Sequence, residues 1–538
     1  MKIRSDILRA YQYIHTWTGI TAGLLLFIGF FAGAITMFAP HIDKWATPPT
    51  VHLPQVQSEQ YDALIRAVFA KYPESQNDVK ISFEQGHSPV TWYQQGNPRE
   101  LRLDDQLWHA SFNSTEELIS HTRGINELSS LVDYLHRSAG LVGEVGHDHF
   151  GVYVLGVAAI LYFLALVSGL ILLLPSLTKS FFALRTNKGA SRFWLDTHNL
   201  IGITSLPFHI VIAVTVIVFA FHDFFYAGLV KIYGDKPLFA RQMPATVEFK
   251  VDNLPSLNEI MARAKVYAPD HQITEINLSR LNSKMPSASI QLVSDQHMLR
   301  GPKSDFLFMN PYTFEVTTSS ITNGDQGIWG DIVTTMFGLH FGSYGGELGR
   351  WAYFIMGILG AVLFYTGNLL WIEKRRQQTL PVQSKSSRFM GKLTVGVAMG
   401  SILGVATSFA LTKWIVLTSL NINQIYMWVY YSCFILTLLA SFLFGMSQTA
   451  VVSQRLIAVL CLSLPATSLF ALCLPSLSIW PANEFSSVVL ELCAGVIGII
   501  FWHMANKTKQ RAYYGDQNSV WYVGDKNSTS SIKLSLSA

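Results

Sequence analysis

One pattern occurs twice in this 538-residue chain, and it constrains the fold more than any single motif. His15-Thr16-Trp17-Thr18-Gly19-Ile20-Thr21 opens the first apolar segment, and His198-Asn199-Leu200-Ile201-Gly202-Ile203-Thr204 opens the third. Leu135-His136, followed by Gly143-Glu144-Val145-Gly146, leads into the second segment. Leu339-His340, followed by Gly346-Glu347-Leu348-Gly349, leads into the fourth. The chain is two copies of one unit: histidine, span, long loop, Leu-His, Gly-Glu-x-Gly, span. Self-similarity of this kind is a fold-level signal.

Half of the residues are hydrophobic and only 14% are charged, against about 25% charged in a soluble domain. A span needs about 20 apolar residues. Eight stretches qualify, near 17–39, 151–174, 200–222, 351–372, 393–412, 424–446, 455–475 and 486–505. Basic residues before the first, between the second and third, between the fourth and fifth, and after the eighth all fall on one side, with Lys413 the exception. The positive-inside rule then puts both termini in the cytoplasm and the loops 40–150 and 223–350 outside. That topology accounts for the net charge of +4, which is therefore no sign of nucleic-acid binding. Four cysteines, Cys433, Cys461, Cys473 and Cys493, all lie in the last four spans, with no C-x-x-C. That pattern excludes a disulfide framework, an iron–sulfur cluster and a zinc-finger-type site.

The outward loops read as small folded domains. In the first, Ser58–Tyr72 has a helical rhythm, and alternating runs follow at Val79–Phe83, Val90–Gln94 and Leu101–Leu103. In the second, a helix at Leu257–Val266 precedes strands near Ile273–Leu278, Ala288–Val293, Phe306–Met309 and Phe314–Thr317. The inner segments 175–199 and 373–392 are short and basic, as is the tail 506–538. No nucleotide-binding motif occurs. Region 393–505 carries four further spans without the repeated histidines, and its role is not legible.

Four helices that sandwich a macrocycle can hold a b-type haem through two imidazoles. His15 and His198 are the expected inner pair, and Gly19 and Gly202, one turn on along the same face, leave room for a porphyrin edge. The plainer alternative is helix-packing glycines beside interfacial histidines. His136 and His340 are the expected outer pair. Each follows an amphipathic stretch, Leu128–Leu135 or Ile332–Leu339, and precedes a Gly-rich turn. His209, about 16.5 Å along the helix from His198 and about 20° around it, is a fifth candidate ligand. Pro207 should kink the helix just before it. His147, His149 and His222 could bind a transition metal at the outward ends of the second and third spans, or simply form a polar belt. His41, His52, His87, His109, His121, His271 and His297 read as surface, and Glu491 as a lone intramembrane carboxylate.

Several spaced motifs together resemble one family. Trp194-Leu195-Asp196-Thr197-His198-Asn199-x2-Gly202, Leu206-Pro207-Phe208-His209, Leu339-His340-Phe341-Gly342 with Gly345-Gly346, and Thr366-Gly367-x3-Trp371-x2-Lys374-Arg375-Arg376 are similar to PepSY-associated transmembrane proteins. The resemblance covers about residues 10–376. Asn310-Pro311-Tyr312-Thr313-Phe314-Glu315-Val316 departs from the usual D-P-x-T-G-x-V ending at its first residue and its glycine. The apolar stretches make the expected fold a mainly α-helical membrane protein of eight transmembrane helices, and the resemblance, which stops at the fourth, implies a bacterial inner-membrane location. The first four form a duplicated two-helix haem-binding unit, and two periplasmic α+β PepSY-like domains rise from the loops. It also implies two haems b and reduction of ferric siderophores outside the membrane; with no nucleotide-binding motif in the chain, quinol or a cytoplasmic reductase is the expected electron donor. Two other functions compete: a non-catalytic module that regulates or tethers a peptidase, and an iron or siderophore permease.

Overall fold

The computed structural model describes residues 4–94, 106–124, 126–146, 148–176, 183–185, 189–234, 244–321, 327–376, 383–418 and 420–523. Helix α1 spans Ser5–Thr36 and the short α2 spans Ala39–Ala46. Helix α3, Tyr61–Lys71, leads into strands β1, Asp78–Ser82, β2, Val90–Tyr93, β3, Gln106–Phe112, and β4, Leu118–Gly124. Then come α4, Leu128–Ser138, α5, Phe150–Leu173, α6, Ala190–Thr204, α7, Leu206–Ala220, and α8, His222–Tyr233. Helix α9, Leu257–Tyr267, precedes β5, Gln272–Ser279, β6, Ser287–Val293, β7, Asp305–Met309, and β8, Val316–Ser319. The chain ends on α10, Gly327–Phe341, α11, Gly346–Lys374, α12, Lys385–Ile415, α13, Ile422–Phe444, α14, Met446–Cys473, and α15, Phe485–Tyr514.

The chain divides into two compact units, one of residues 1–46, 128–220 and 353–538, the other of 47–127 and 221–352. The first is helical. Among the described residues, seven helices are long and apolar enough to cross a membrane, and α6 with α7 makes an eighth candidate that is bent by 71°. The bend sits where the sequence puts it. Pro207 has no N–H to give the preceding turn and its ring crowds the carbonyl four residues back, so Ser205 leaves helical geometry at φ −102°, ψ 9°. The expected inner loop 175–199 is shorter than read, because helix α6 already begins at Ala190.

Helix α4 belongs to the membrane unit although it lies within the expected outward loop 40–150. Leu128, Leu131, Val132 and Leu135 fall at i, i+3, i+4 and i+7 and are all buried, so one apolar face packs down against the bundle. The fifth to eighth spans are tied to the first four by side chains rather than packing alone. Asn368 on α11 donates to Thr394 Oγ1 on α12 at 3.2 Å. Tyr431 on α13 donates to the Gly140 carbonyl at 2.8 Å, and Arg511 on α15 pairs with buried Glu373.

The second unit corrects the expectation of two separate loop domains. Each loop does give a helix and four antiparallel strands, but the strands join into one eight-stranded sheet, ordered β8-β7-β6-β5-β1-β2-β3-β4. The join is the antiparallel pairing of β1 with β5, from Asp78 opposite Ser279 to Ser82 opposite Glu275. Val79, Ile81, Ile276 and Leu278 point to one face across this seam and are fully buried beneath Leu64, Val68, Ile260 and Ala264 of α3 and α9. Burying each aliphatic side chain contributes about 2 kcal/mol, so neither half keeps its core without the other. Leu101–Leu103, read as a strand, lies outside the described residues.

Candidate functional site

Three of the histidines singled out in the sequence are mounted in the same way. His15 Nδ1 on α1 lies 2.8 Å from the Ala165 carbonyl on α5. His136 Nδ1 on α4 lies 2.9 Å from the Gly29 carbonyl on α1. A carbonyl only accepts, so each Nδ1 carries the proton and each Nε2 is left with its lone pair. His198 Nδ1 on α6 lies 3.4 Å from Thr366 Oγ1 on α11, with the Leu363 backbone as a further partner. The Thr366 hydroxyl already donates to the Leu363 carbonyl at 3.0 Å, so it accepts from His198 and the same tautomer results.

A glycine one turn beyond each carbonyl makes room for the ring. A Cβ on Gly169 would stand 2.9 Å from His15 Cε1, one on Gly33 2.5 Å from His136 Nδ1, and one on Gly367 3.4 Å from His198 Cε1. Carbonyl at i and glycine at i+4 thus recurs as Ala165/Gly169, Gly29/Gly33 and Leu363/Gly367. In the second copy the glycine belongs to the Thr366-Gly367 motif. The first copy has Ser168-Gly169 at the matching place, a hydroxyl–glycine pair that the sequence alone does not single out. Gly19, read as leaving room for a ligand, has open space on its side-chain face: a Cβ there would meet nothing within 4 Å, and one on Gly202 would meet only Leu363 Cδ1 at 3.7 Å.

The rings of His15 and His198 stand 6.1 Å apart, centroid to centroid, at 75°. Two imidazoles on one iron have that separation. A metal–nitrogen bond of about 2 Å on each side, plus about 1 Å from nitrogen to ring centre, gives about 6 Å. The donor set and the seating glycines fit a bis-histidine haem at this pair.

The outer candidates are less symmetric. His340 ends α10 in the sheet-containing unit, its ring edge-on to Phe341 at 5.5 Å. Val216 stands where the first copy has Gly33, counting from His198 and His15, so the second copy does not repeat the His136 cradle. His209 is fully buried, with Nε2 2.8 Å from Ser205 Oγ and Nδ1 without a hydrogen-bond partner. Its ring lies 5.8 Å from Phe30, 5.9 Å from Tyr162 and 5.5 Å from Phe208. Phe364 closes on Phe30 and Tyr162 at 5.2 and 5.1 Å. Helices α1, α5, α7 and α11 therefore meet at an aromatic layer around His209.

Of the expected metal ligands, His149 packs edge-on to Tyr134 at 5.1 Å. His222 lies in the other unit, 3.3 Å from Asp223, and His147 lies outside the described residues. Glu491 is not alone, and Lys413 is not a stray charge. They pair at 2.8 Å, both buried, with Ser468 and Trp45 Nε1 donating to the same carboxylate oxygen at 2.6 and 2.8 Å. The loop histidines read as surface also gather: His52, His87, His109 and His121 neighbour one another, and His271 stacks on His297 at 5.4 Å.

Residues 12–374, more than half of the chain, match the model of a family described as the PepSY-associated TM region. No curated protein matches the chain.

Proposed function

We propose that this protein, which belongs to the PepSY-associated transmembrane family, is a di-haem electron-transfer protein that reduces ferric siderophores at the periplasmic face of a bacterial inner membrane. The observation that carries the reading is the His15–His198 pair, two rings from different copies of the repeat facing each other with both Nδ1 positions committed. A b-type haem bound there supplies a one-electron Fe(III)/Fe(II) couple inside the bilayer. His15 and His198 are its ligands in this reading, held in one tautomer by Ala165, Leu363 and Thr366. His136 is an outer ligand in this reading, and His209, whose Nδ1 is uncommitted, is the partner that the same unit offers it.

The aromatic layer of Phe30, Tyr162, Phe208, His209 and Phe364 fills the middle of the four-helix core. Packed rings block water and ions but not electrons, which favours electron transfer over permeation. A peptidase tether would need none of the three histidine cradles. With both termini cytoplasmic, the donor is quinol or a cytoplasmic reductase. Release follows from ligand preference: hard siderophore oxygens hold Fe(III) and bind the softer Fe(II) poorly, so one electron per chelate frees the metal.

The test is anaerobic reoxidation of dithionite-reduced protein by a ferric hydroxamate, with Fe(II) trapped by ferrozine. One Fe(II) per electron lost supports the reading. Protein that stays reduced with every ferric chelate offered, yet is reoxidised by a quinone, is a membrane cytochrome for another acceptor.

A further inference from the structure

The fifth to eighth spans carry none of the repeated histidines, yet one of them reaches a histidine-bearing segment. Helix α13 has an unusual distribution of side chains. Its buried residues, Asn423, Tyr426, Tyr430, Thr437 and Ser441, are all polar, while Trp428, Leu436, Leu439 and Leu443 are exposed. The buried polar stripe is matched by α12. Tyr426 donates to Thr412 Oγ1 at 2.9 Å, and Ser441 donates to the Lys392 carbonyl at 2.7 Å. Gly404 of α12 seats Tyr430, because a Cβ there would stand 2.8 Å from Tyr430 Cδ2.

Tyr430 and its neighbour Tyr431 also meet the end of α4, the helix that carries His136. Tyr431 donates to the Gly140 carbonyl at 2.8 Å. A Cβ on Gly140 would stand 3.6 Å from Tyr430 Cε1 and 3.8 Å from its hydroxyl. Helix α4 stops here in a left-handed turn, with Ala139 at φ +52° and Gly140 at φ +74°. An alanine in that conformation is strained and persists only where its surroundings hold it. Helix α5 supplies a second contact: a Cβ on Gly151 would stand 2.5 Å from Ser138 Cα. The turn is thus gripped by α5 and α13, while the His136 ring is fixed on α1 through the Gly29 carbonyl at 2.9 Å. His136 lies four residues before Gly140, about one helical turn, so a shift of the turn carries the ring with it.

We propose that the fifth to eighth spans clamp the end of α4 and so fix the position of His136. Tyr431 is the positioning residue, and Tyr430, seated on Gly404, supports it. The inference rests on the reading of His136 as an outer haem ligand and adds the part of the chain that holds it there. A packed helix end leaves its last carbonyls without helical partners. Removing the Tyr431 hydroxyl leaves the Gly140 carbonyl without that donor, and an unmade bond of this kind is costly. The axial ligand is one of the levers by which a protein sets a haem potential, so the grip reads out as a potential.

The test compares Tyr431→Phe with Tyr426→Phe in full-length protein purified in detergent. Each loses one tyrosine hydroxyl from α13, but the bond lost from Tyr426 runs to α12 and not to α4. Redox titration and hydrogen exchange of residues 131–141 are recorded on both. In Tyr431→Phe the expected result is a shifted outer potential at unchanged haem content, an unchanged inner potential, and exchange in α4 faster by about tenfold. Tyr426→Phe should match the parent in both measurements. Parent-like outer potential in Tyr431→Phe overturns the proposal, as does an equal shift in both variants. A parent protein without an outer haem would sink the ligand reading of His136 instead. Exchange then decides the clamp alone: faster exchange in α4 confined to Tyr431→Phe supports it, and parent-like exchange overturns it.

Discussion

Gly169 on α5 and His15 on α1 approach so closely that a methyl on the glycine would stand 2.9 Å from His15 Cε1 and 3.0 Å from Nδ1. The ring cannot yield without moving from the Ala165 carbonyl, 2.8 Å away, that fixes its proton. Gly169→Ala therefore displaces His15, the proposed inner ligand, while leaving an apolar helix intact. The expected outcome is loss of roughly half of the haem with unchanged helix content by circular dichroism. Gly19→Ala, which meets nothing within 4 Å, serves as the contrast and reads whether a cofactor edge occupies that space: haem loss is expected there too, although no protein atom is touched.

Gly33→Ala tests the proposed outer site. Its methyl would fall 2.5 Å from His136 Nδ1, so the expected effect is on the outer site alone. Redox titration should show one potential retained and one lost or shifted. Loss of both potentials would mean that the helix, not the ligand, had moved.

The seam between β1 and β5 makes the two loops one folding unit. Ile81→Ala or Ile276→Ala removes a fully buried side chain from its core and should cost about 2–5 kcal/mol. Hydrogen exchange should then rise together in strands of both loops. Exchange confined to the loop that carries the substitution would contradict the single sheet.

Lys413 and Glu491 are buried together, so removing either alone strands a charge. Lys413→Met or Glu491→Leu should each destabilise by about 3–5 kcal/mol, with the double variant close to the parent. The midpoint of thermal unfolding in detergent checks this. Equal additive losses would show that the pair is not coupled.

His109 sets a pH dependence for the sheet domain. Burial holds its pKa at about 3 in the fold, against 6.5 for a free side chain. Below pH 6.5 the unfolded chain takes up a proton that the folded one refuses, so stability is complete above that pH and falls as pH drops toward 3. One proton gives a slope of at most about 1.4 kcal/mol per pH unit. His109→Gln should flatten that slope, measured as unfolding midpoint against pH.

The readable features are those with a local or repeated signature. His15, His198 and His136 stand out because duplication marks them, and the bend at Ser205 follows from Pro207. Strand positions such as Gln272–Ser279 follow from alternation. Alternation gives a strand's buried face but not its neighbour, so the pairing of Lys80 with Asn277 that fuses the loops was not readable. Gly169 and Gly33 look like ordinary membrane glycines until the histidine that each one seats is placed beside it. Lys413 and Glu491 were each visible as anomalies, but only the fold shows that one answers the other.

Whether the histidines of the two repeats hold haem is read most directly by a pyridine haemochrome assay on full-length protein purified in detergent. The expected result is two haems b per chain, falling to one in His15→Ala and in His198→Ala with the protein still inserted. A folded, colourless protein without haem would contradict it.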